Sequence, residues 1–443
     1  MNKKPNLSFW QIWNLSFGFL GVQIGYSLQN ANTSRIMQSL GADVHELSYF
    51  WLAAPLAGLF IQPIIGLFSD RTWTRLGRRI PFILGGAVLA AAALFLMPNA
   101  EYFAKFMPAL VFAAVMLLFM DMSFNITMQP FRALVADKLN NKQRTKGYAI
   151  QSFLINIGAV VGSVLPFVLV NWFGINGEST DSQLIPDSVA ISYYIGGALL
   201  LGTVLVTTFT TKEYPPKLQH EYTASENLGE SSTQEKPKFM KLLKEIPPVM
   251  WQLGVVQFFS WAALFMMWTY TTPAVAETVW GTTDTKSVEY ALAGDWVGIL
   301  FGVYSVFSAI FALFMVKISN KISNKGLYAL SLVLGGIGFC ALPYCTTQYS
   351  LFVPMIGIGV AWATILAMPY TILSKAVASE RMGVYMGIFN FTITIPQIVM
   401  GLTGGVIVQY LFDGSAPNML IAAGVCLLIG AVAAIYIVKE KKG

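Results

Sequence analysis

The chain alternates long apolar runs with short polar loops. A helix needs about 20 apolar residues to cross the hydrocarbon of a bilayer, and twelve runs meet that length: 8–29, 47–68, 80–97, 109–131, 148–169, 189–209, 250–272, 296–316, 327–344, 351–373, 384–406 and 418–438. The pattern predicts an all-α integral membrane protein of twelve transmembrane helices. The first run follows the basic start MNKK, as a signal peptide would, but it stays apolar past Tyr26 without a small-residue cleavage site. It is therefore expected to be retained as the first span. The longest polar stretch, Thr211 to Pro248, mixes Lys, Glu, Ser and Pro until KFMKLLKEI and reads as a linker. This divides the chain into a six-helix bundle at 1–210, a cytoplasmic linker at 211–249 and a second six-helix bundle at 250–443.

Composition agrees with the pattern. Of the 443 residues 55% are hydrophobic and 11% charged, against about 25% charged in soluble domains. Trp, Tyr and Phe supply the aromatics that multi-span proteins place at membrane interfaces. Cys340, Cys345 and Cys426 lie in or beside apolar runs without disulfide or zinc spacing, so no metal and no cofactor is expected. In a soluble chain a net charge of +6 would suggest a nucleic-acid partner; in a membrane protein it reflects lysines and arginines that set topology. With both termini cytoplasmic, 25 of the 28 basic residues fall on the inner side and only Arg35, Lys105 and Lys286 outside, where acids such as Glu178, Asp181, Glu277 and Glu289 collect. One missed helix would scramble that count. The expected location is the cell (inner) membrane, multi-pass, with the bilayer as partner and the chain as a monomer.

A weak repeat relates the two halves. SDRTWTRLGRR after the second run has a degenerate counterpart, SNKISNKG, after the eighth; Pro130 matches Pro369, and RTKGYAIQ from Arg144 matches RMGVYMGI from Arg381. Parallel repeats of this kind mark the major facilitator architecture. The loop GLFSDRTWTRLGRRIPF then resembles the signature of that superfamily, G-x-x-x-D-R-x-x-x-R-x-G-R-R, at every keyed position. Gly66 allows close helix approach, and Asp70 stands at a helix end where it can pair with arginines or meet a neighbouring helix N-terminus. Asp70 and Arg71 are expected to act as a latch on one gate, with Arg75 beside them; Arg78 and Arg79 are read as little more than inner-face anchors.

The second signal is the fourth run, DMSFNITMQPFRALVADK. Asp121 is the only Asp, Glu, Lys, Arg or His that these boundaries place deep in the membrane, and an intramembrane carboxyl is a functional candidate by default. Arg132 stands eleven residues on, about 16 Å along a helix at 1.5 Å per residue, too far to pair with it. A buried carboxyl without a charged partner escapes its desolvation penalty by taking up a proton, as a proton-coupling residue must. Asn125 and Gln129 follow at i+4 and i+8 on the same helical stripe.

The order D-x-x-x-N, then P-x-R-A-L-x-A-D, resembles the fourth span of plant sucrose-proton symporters and the related animal glycoside-proton symporters, with Asp121, Asn125, Pro130, Arg132 and Asp137 at matching places. The stretch LGADVHELSYFWLAAPLAGLFIQPIIGLFSDR, including His45, and IPQ at Ile395 to Gln397 match as well. The resemblance covers most of the N-terminal half and patches of the C-terminal half. It implies that Asp121 is the proton site and that Arg132 and Asp137 belong to the gating set; because the C-terminal half matches less well, it does not imply sucrose itself. Candidate sugar contacts are Gln23, Tyr26 and Asn30, then Asn125, Gln151 and Asn156, then Gln257 and Trp261, with Trp362, Asn390 and Gln397; Asn125, Gln151 and Gln257 come first. His45 is expected at the outer rim.

The expectation is a major facilitator protein that imports a small glycoside, a disaccharide such as maltose or sucrose, with a proton. A sodium-coupled carrier of the melibiose kind is the nearest alternative, and such carriers place carboxylates in both the second and fourth spans; the second run here has none. An uncoupled sugar facilitator is a further alternative. Drug efflux would call for an apolar pocket. An enzyme would need a nucleophile-base pair or metal cluster, and His45 and His220 fall on opposite faces. Nothing suggests the selectivity ring of a channel.

Overall fold

The computed structural model describes residues 4–179, 184–215, 218, 221–222, 246–374 and 388–439. Most of the expected linker and the repeat segment RMGVYMGI lie outside them. Among the described residues twelve helices have 16 or more residues: α1 (Phe9–Ser39), α2 (Ala53–Arg71), α3 (Ile80–Leu96), α4 (Ala109–Lys138), α5 (Asn141–Phe173), α6 (Asp187–Thr210), α7 (Pro248–Val279), α8 (Val288–Ile322), α9 (Asn324–Ala341), α10 (Phe352–Ser374), α11 (Phe391–Val406) and α12 (Ala416–Tyr436). Among the described residues eleven segments are long and apolar enough to cross a membrane, and α1 is not one of them.

Several helices overrun the apolar runs that predict them. The first run ends at residue 29, yet α1 continues through LQNANTSRIMQS to Ser39, and α8 starts at Val288 instead of 296. The polar extension of α1 is buried because its side chains are satisfied locally: Asn32 donates to the Leu28 carbonyl at 2.9 Å and Thr33 to the Gln29 carbonyl at 2.7 Å. Hydropathy marks the part of a helix that lipid sees, while a polar helix end survives wherever its hydrogen bonds close within the bundle. Start signals follow side-chain chemistry. Ser8 and Gln11 form a capping box on α1, Asn140 caps α5 through the Gln143 amide, and Ser287 caps α8 through that of Tyr290.

Buried apolar side chains form two clusters. One is drawn from α1, α3, α4 and α6 with neighbouring turns, with partly buried side chains of α5 packed against it, and the other from α7 to α12 together with Ala31 and Trp51. Within the first, α1 packs on α5 and α6, and α3 on α4; within the second, α12 packs on α7 and α9, and α9 on α10.

The two clusters meet along seams that involve the ends of α1, α5, α7, α8 and α11. Ser34 donates to the Thr269 carbonyl at 2.7 Å and receives the Trp51 indole at 3.0 Å. Arg35 donates to Asp295 at 2.5 Å and to the Gly177 carbonyl at 2.8 Å, with the two charged residues 1% and 5% exposed. The Tyr290 hydroxyl donates to Gln38. The Gly405 amide donates to Ser48 at 2.9 Å. Backbones touch here because glycine lets them: a Cβ on Gly298 would lie 2.2 Å from the Ser163 carbonyl oxygen, and one on Gly405 2.1 Å from that of His45. His45 thus contributes backbone to the seam. At the other end of α2 a Cβ on Gly66 would meet nothing within 4 Å.

Arg35 and Asp295 are buried charged residues that the expected spans leave outside the helices, whereas the structure places them within α1 and α8. The apolar runs stop short of both, so each reads as a loop residue.

Candidate functional site

Asp121 lies midway along α4 and is 2% exposed. Its Oδ1 accepts from Gln29 Nε2 of α1 at 2.6 Å, and among the described residues no ion pair reaches it. Its Oδ2 and the Gln29 Oε1 are both buried without a hydrogen-bond partner. Gln29 was missed by sequence reasoning, since it stands in a polar run where nothing marks which amide turns inward.

From Asp121 a series of polar and aromatic groups points toward the second cluster. Tyr26 of α1 lies within electrostatic range of Asp121, Arg132 and Tyr304 of α8, with Asn30 at its hydroxyl, and its ring meets Phe124 edge-on at 5.7 Å. Tyr304 stands 6.4 Å from Trp362 of α10, which lies 5.9 Å from Trp261 and 6.0 Å from Trp268, both of α7. These edge-to-face contacts fix the rings as one aromatic wall. The Trp261 indole nitrogen is buried and has no partner, as has the Gln151 amide nitrogen of α5. Trp268 and Tyr304 are additions to the expected set; their helical spacing could have suggested them, because Trp261 and Trp268 stand seven residues apart on one face.

The other expected contacts distribute unevenly. Asn125 turns back to its own helix and donates to the Asp121 carbonyl at 2.8 Å, and Asn156 likewise to Ser152 at 2.9 Å. Gln23 donates to Ser27 at 3.2 Å. Gln257 is fully buried and accepts from Tyr328 of α9 at 3.2 Å, so its carbonyl is already engaged inside the second half. Asn390 precedes α11, where its carbonyl accepts from Thr394, and Gln397 is half-buried in that helix.

The signature loop closes a polar network with the ends of α2 and α4 and with Glu213. Asp137 pairs with Arg78 at 2.5 Å and Arg79 at 3.1 Å, Arg79 also donates to Ser69 at 2.6 Å, and Glu213 receives the backbone amides of Arg79 and Ile80 at 2.7 and 2.8 Å. Lys138 sits 3.6 Å over the Tyr214 ring and donates to the Lys212 carbonyl at 2.7 Å. Burial lowers its ammonium pKa to about 8, and Glu213 opposes that shift. Arg78 and Arg79 are therefore ion-paired partners of Asp137 and not mere anchors. A carboxylate that accepts from two guanidinium groups and a helix start that receives Glu213 are ordinary uses of charge-assisted bonds. Arg75 and Arg132 are exposed, and the side chains of Asp70 and Arg71 lie outside the described residues.

Comparison with known proteins follows from this arrangement. The profile described as MFS/sugar transport protein matches residues 36–437. The chain belongs to that family. A sucrose transport protein of Arabidopsis thaliana is 25% identical, with 93% of this chain and 87% of that protein covered. A general alpha-glucoside permease of Schizosaccharomyces pombe is 27% identical over 61% of this chain and 49% of the permease. Two solved structures share the fold: the nucleoside transporter NupG, with a TM-score of 0.68 at 15% identity over 98% of this chain and all 100% of that one, and a D-xylose-proton symporter, with a TM-score of 0.66 at 15% identity over 97% and 96%. This MFS sugar transporter is thus a membrane protein with many apolar helices, and its relatives and its fold are those of transporters.

The glycine seam gives a first expectation for this MFS sugar transporter. Gly298→Ala pushes a methyl group against the Ser163 carbonyl and should disfavour the arrangement with the seam closed. A penalty of about 1.4 kcal/mol is tenfold in population, so the initial rate of sugar uptake, normalised to the amount of protein in the membrane, is expected to fall about tenfold or more. An unchanged rate would show that the seam yields.

Proposed function

We propose that this transporter imports a small glycoside, a disaccharide such as maltose or sucrose, together with a proton. The observation that carries the reading is Asp121: a buried carboxyl held by one amide, without an ion pair among the described residues, and linked through Tyr26 and Tyr304 to a wall of indole rings. Rings can stack on the apolar faces of a sugar, and the unpartnered polar atoms of Trp261 and Gln151 supply hydrogen bonds to its hydroxyls. The names of the sucrose and alpha-glucoside carriers support the same substrate class.

In this reading α1 is the first of twelve spans, both termini are cytoplasmic, and residues 1–210 and 250–443 rock as two halves about the central site in the cell membrane. The seam at Arg35, Ser34 and Gly298 is the closed outer side. The ion-paired network of Asp137, with Gly66, Asp70, Arg71, Arg75 and Arg132, belongs to the inner gate. Protonated Asp121 with bound sugar favours passage inward, and loss of both resets the carrier. A proton suits the site better than sodium, since a sodium site gathers several oxygens and α2 has no acid before Asp70 at its end.

The test is uptake of labelled maltose and sucrose into proteoliposomes under an imposed pH gradient, with sodium replaced by choline. Uptake above the equal-concentration level, abolished by a protonophore and indifferent to choline, is expected. Collapse in choline would favour the sodium carrier, and indifference to the protonophore the uncoupled facilitator.

A further inference from the structure

Asp121 and Gln29 hold one hydrogen bond and two defects. Nε2 of the amide donates to Oδ1 of the carboxyl at 2.6 Å, while the second oxygen of each group, Asp121 Oδ2 and Gln29 Oε1, is buried and has no partner. Both side chains are all but inaccessible, at 2% and 1% exposure, so bulk water does not satisfy these oxygens. Each is an acceptor when the carboxyl is ionised, and two acceptors cannot bond to one another. One proton repairs both. Placed on Oδ2, it makes that oxygen a donor, and an acid facing an amide closes a ring of two hydrogen bonds.

We propose that Gln29 is the positioning residue of the proton site, its Oε1 accepting a hydrogen bond from the proton that Asp121 takes up on Oδ2. The proton comes from water and returns to water; the pair passes from a charge of −1 to zero, no other bond breaks, and the Nε2 to Oδ1 bond persists throughout. Since the amide belongs to α1 and the acid to α4, protonation ties these helices by two bonds in place of one. The titrating event thereby becomes a change in how firmly the first half is braced.

The surroundings leave this role to the amide. On α1 and α6 the titratable neighbours are Tyr26 and Tyr193, neutral phenols within electrostatic range of Asp121. The helix α3 has no titratable residue, and those of α2, Asp70 and Arg71, stand in its last turn. On α5 the titratable residues, from Lys142 to Tyr148, all belong to its first turns. Beyond α3, Glu101 is engaged by the Leu184 and Ile185 amides, with Tyr102 exposed beside it. On α4 itself Arg132, Asp137 and Lys138 follow at least eleven residues on.

The proposal rests on Asp121 being the proton site, and one measurement separates the two ideas. Infrared difference spectra of the full-length protein in lipid, recorded between acidic and alkaline pH, should show a protonated carboxyl C=O band that vanishes in Asp121→Asn. In Gln29→Met, close in length but without the amide, the band should persist and move to higher wavenumber as the acid O–H loses its acceptor. Gln29→Asn, with the same amide one methylene shorter, should move it the same way and serves if the first variant fails to fold. A band that stays in place in either folded variant overturns the role of Gln29 and leaves Asp121 standing. Absence of any Asp121-dependent band removes both.

Discussion

Asp121→Asn is expected to end uphill accumulation of sugar while leaving exchange of sugar across the membrane intact. The substitution keeps the shape of the side chain and a polar group facing Gln29, so the packing of α1 on α4 has no cause to fail. What it removes is the capacity to gain and lose a proton. With an inward gradient of one pH unit a carrier coupled to one proton can accumulate its solute about tenfold, the ratio that about 1.4 kcal/mol supports. The variant should stop at equal concentrations on the two sides. Counterflow, in which labelled sugar outside trades with unlabelled sugar inside, needs only the reorientation of the loaded carrier and should continue. A variant that still concentrates sugar in proteoliposomes would sink the assignment of Asp121, whatever its rate.

The second large effect belongs to Arg35 and Asp295. Their pair is almost fully buried and joins α1 to α8 across the seam between the two clusters. Removing one partner strands the other charge in a low-dielectric setting, which costs about 3–5 kcal/mol, whereas replacing both by apolar groups is often neutral. The stranded charge is relieved when the seam opens to water. Asp295→Asn and Arg35→Gln should therefore each move the carrier toward the arrangement with this seam open by a factor of about a hundred or more. The measurement is the rate at which an impermeant thiol reagent labels a cysteine substituted for Ser39, which is buried one helical turn after Arg35 on α1, after Cys340, Cys345 and Cys426 have been replaced. Either single variant should label much faster than the parent. The double variant Arg35→Met with Asp295→Leu should return toward the parent rate. If all three label alike, the pair does not hold the seam.

Much of the fold was legible because lipid imposes a simple rule on sequence: apolar runs of one length, with basic loops alternating between them. Asp121 was legible for the same reason, since a carboxyl is conspicuous in such a run. Pairing was not. Arg35 and Asp295 lie 260 positions apart and beyond the ends of the apolar runs, so hydropathy treats both as loop. Gln29 and Gln257 are both amides in helices; one turns to Asp121 and the other to Tyr328, and only tertiary packing decides which. In the signature loop the spacing is visible, yet the pairing of Asp137 with Arg78 and Arg79 depends on the distance between α4 and the loop after α2, which sequence does not carry. Trp268 and Tyr304 escaped because a ring on an apolar helix is more often facing lipid or core than a ligand.

One helix carries both ends of the machinery. Asp121 and the Asp137 that anchors Arg78 and Arg79 are both on α4, and Pro130 stands between them inside that helix. Proline has no amide hydrogen and crowds the carbonyl four residues back, so the rung that would tie residue 130 to Ile126 is missing. The helix thus contains a compliant joint, a place where bending is cheap compared with the stiff segments on either side. If the halves move as proposed, that joint would let the segment from Arg132 to Lys138 swing while Asp121 stays against α1. The repeat supplies the same joint to the second half, where Pro369 sits inside α10. Motion of the halves would then be that of two jointed levers instead of two rigid blocks.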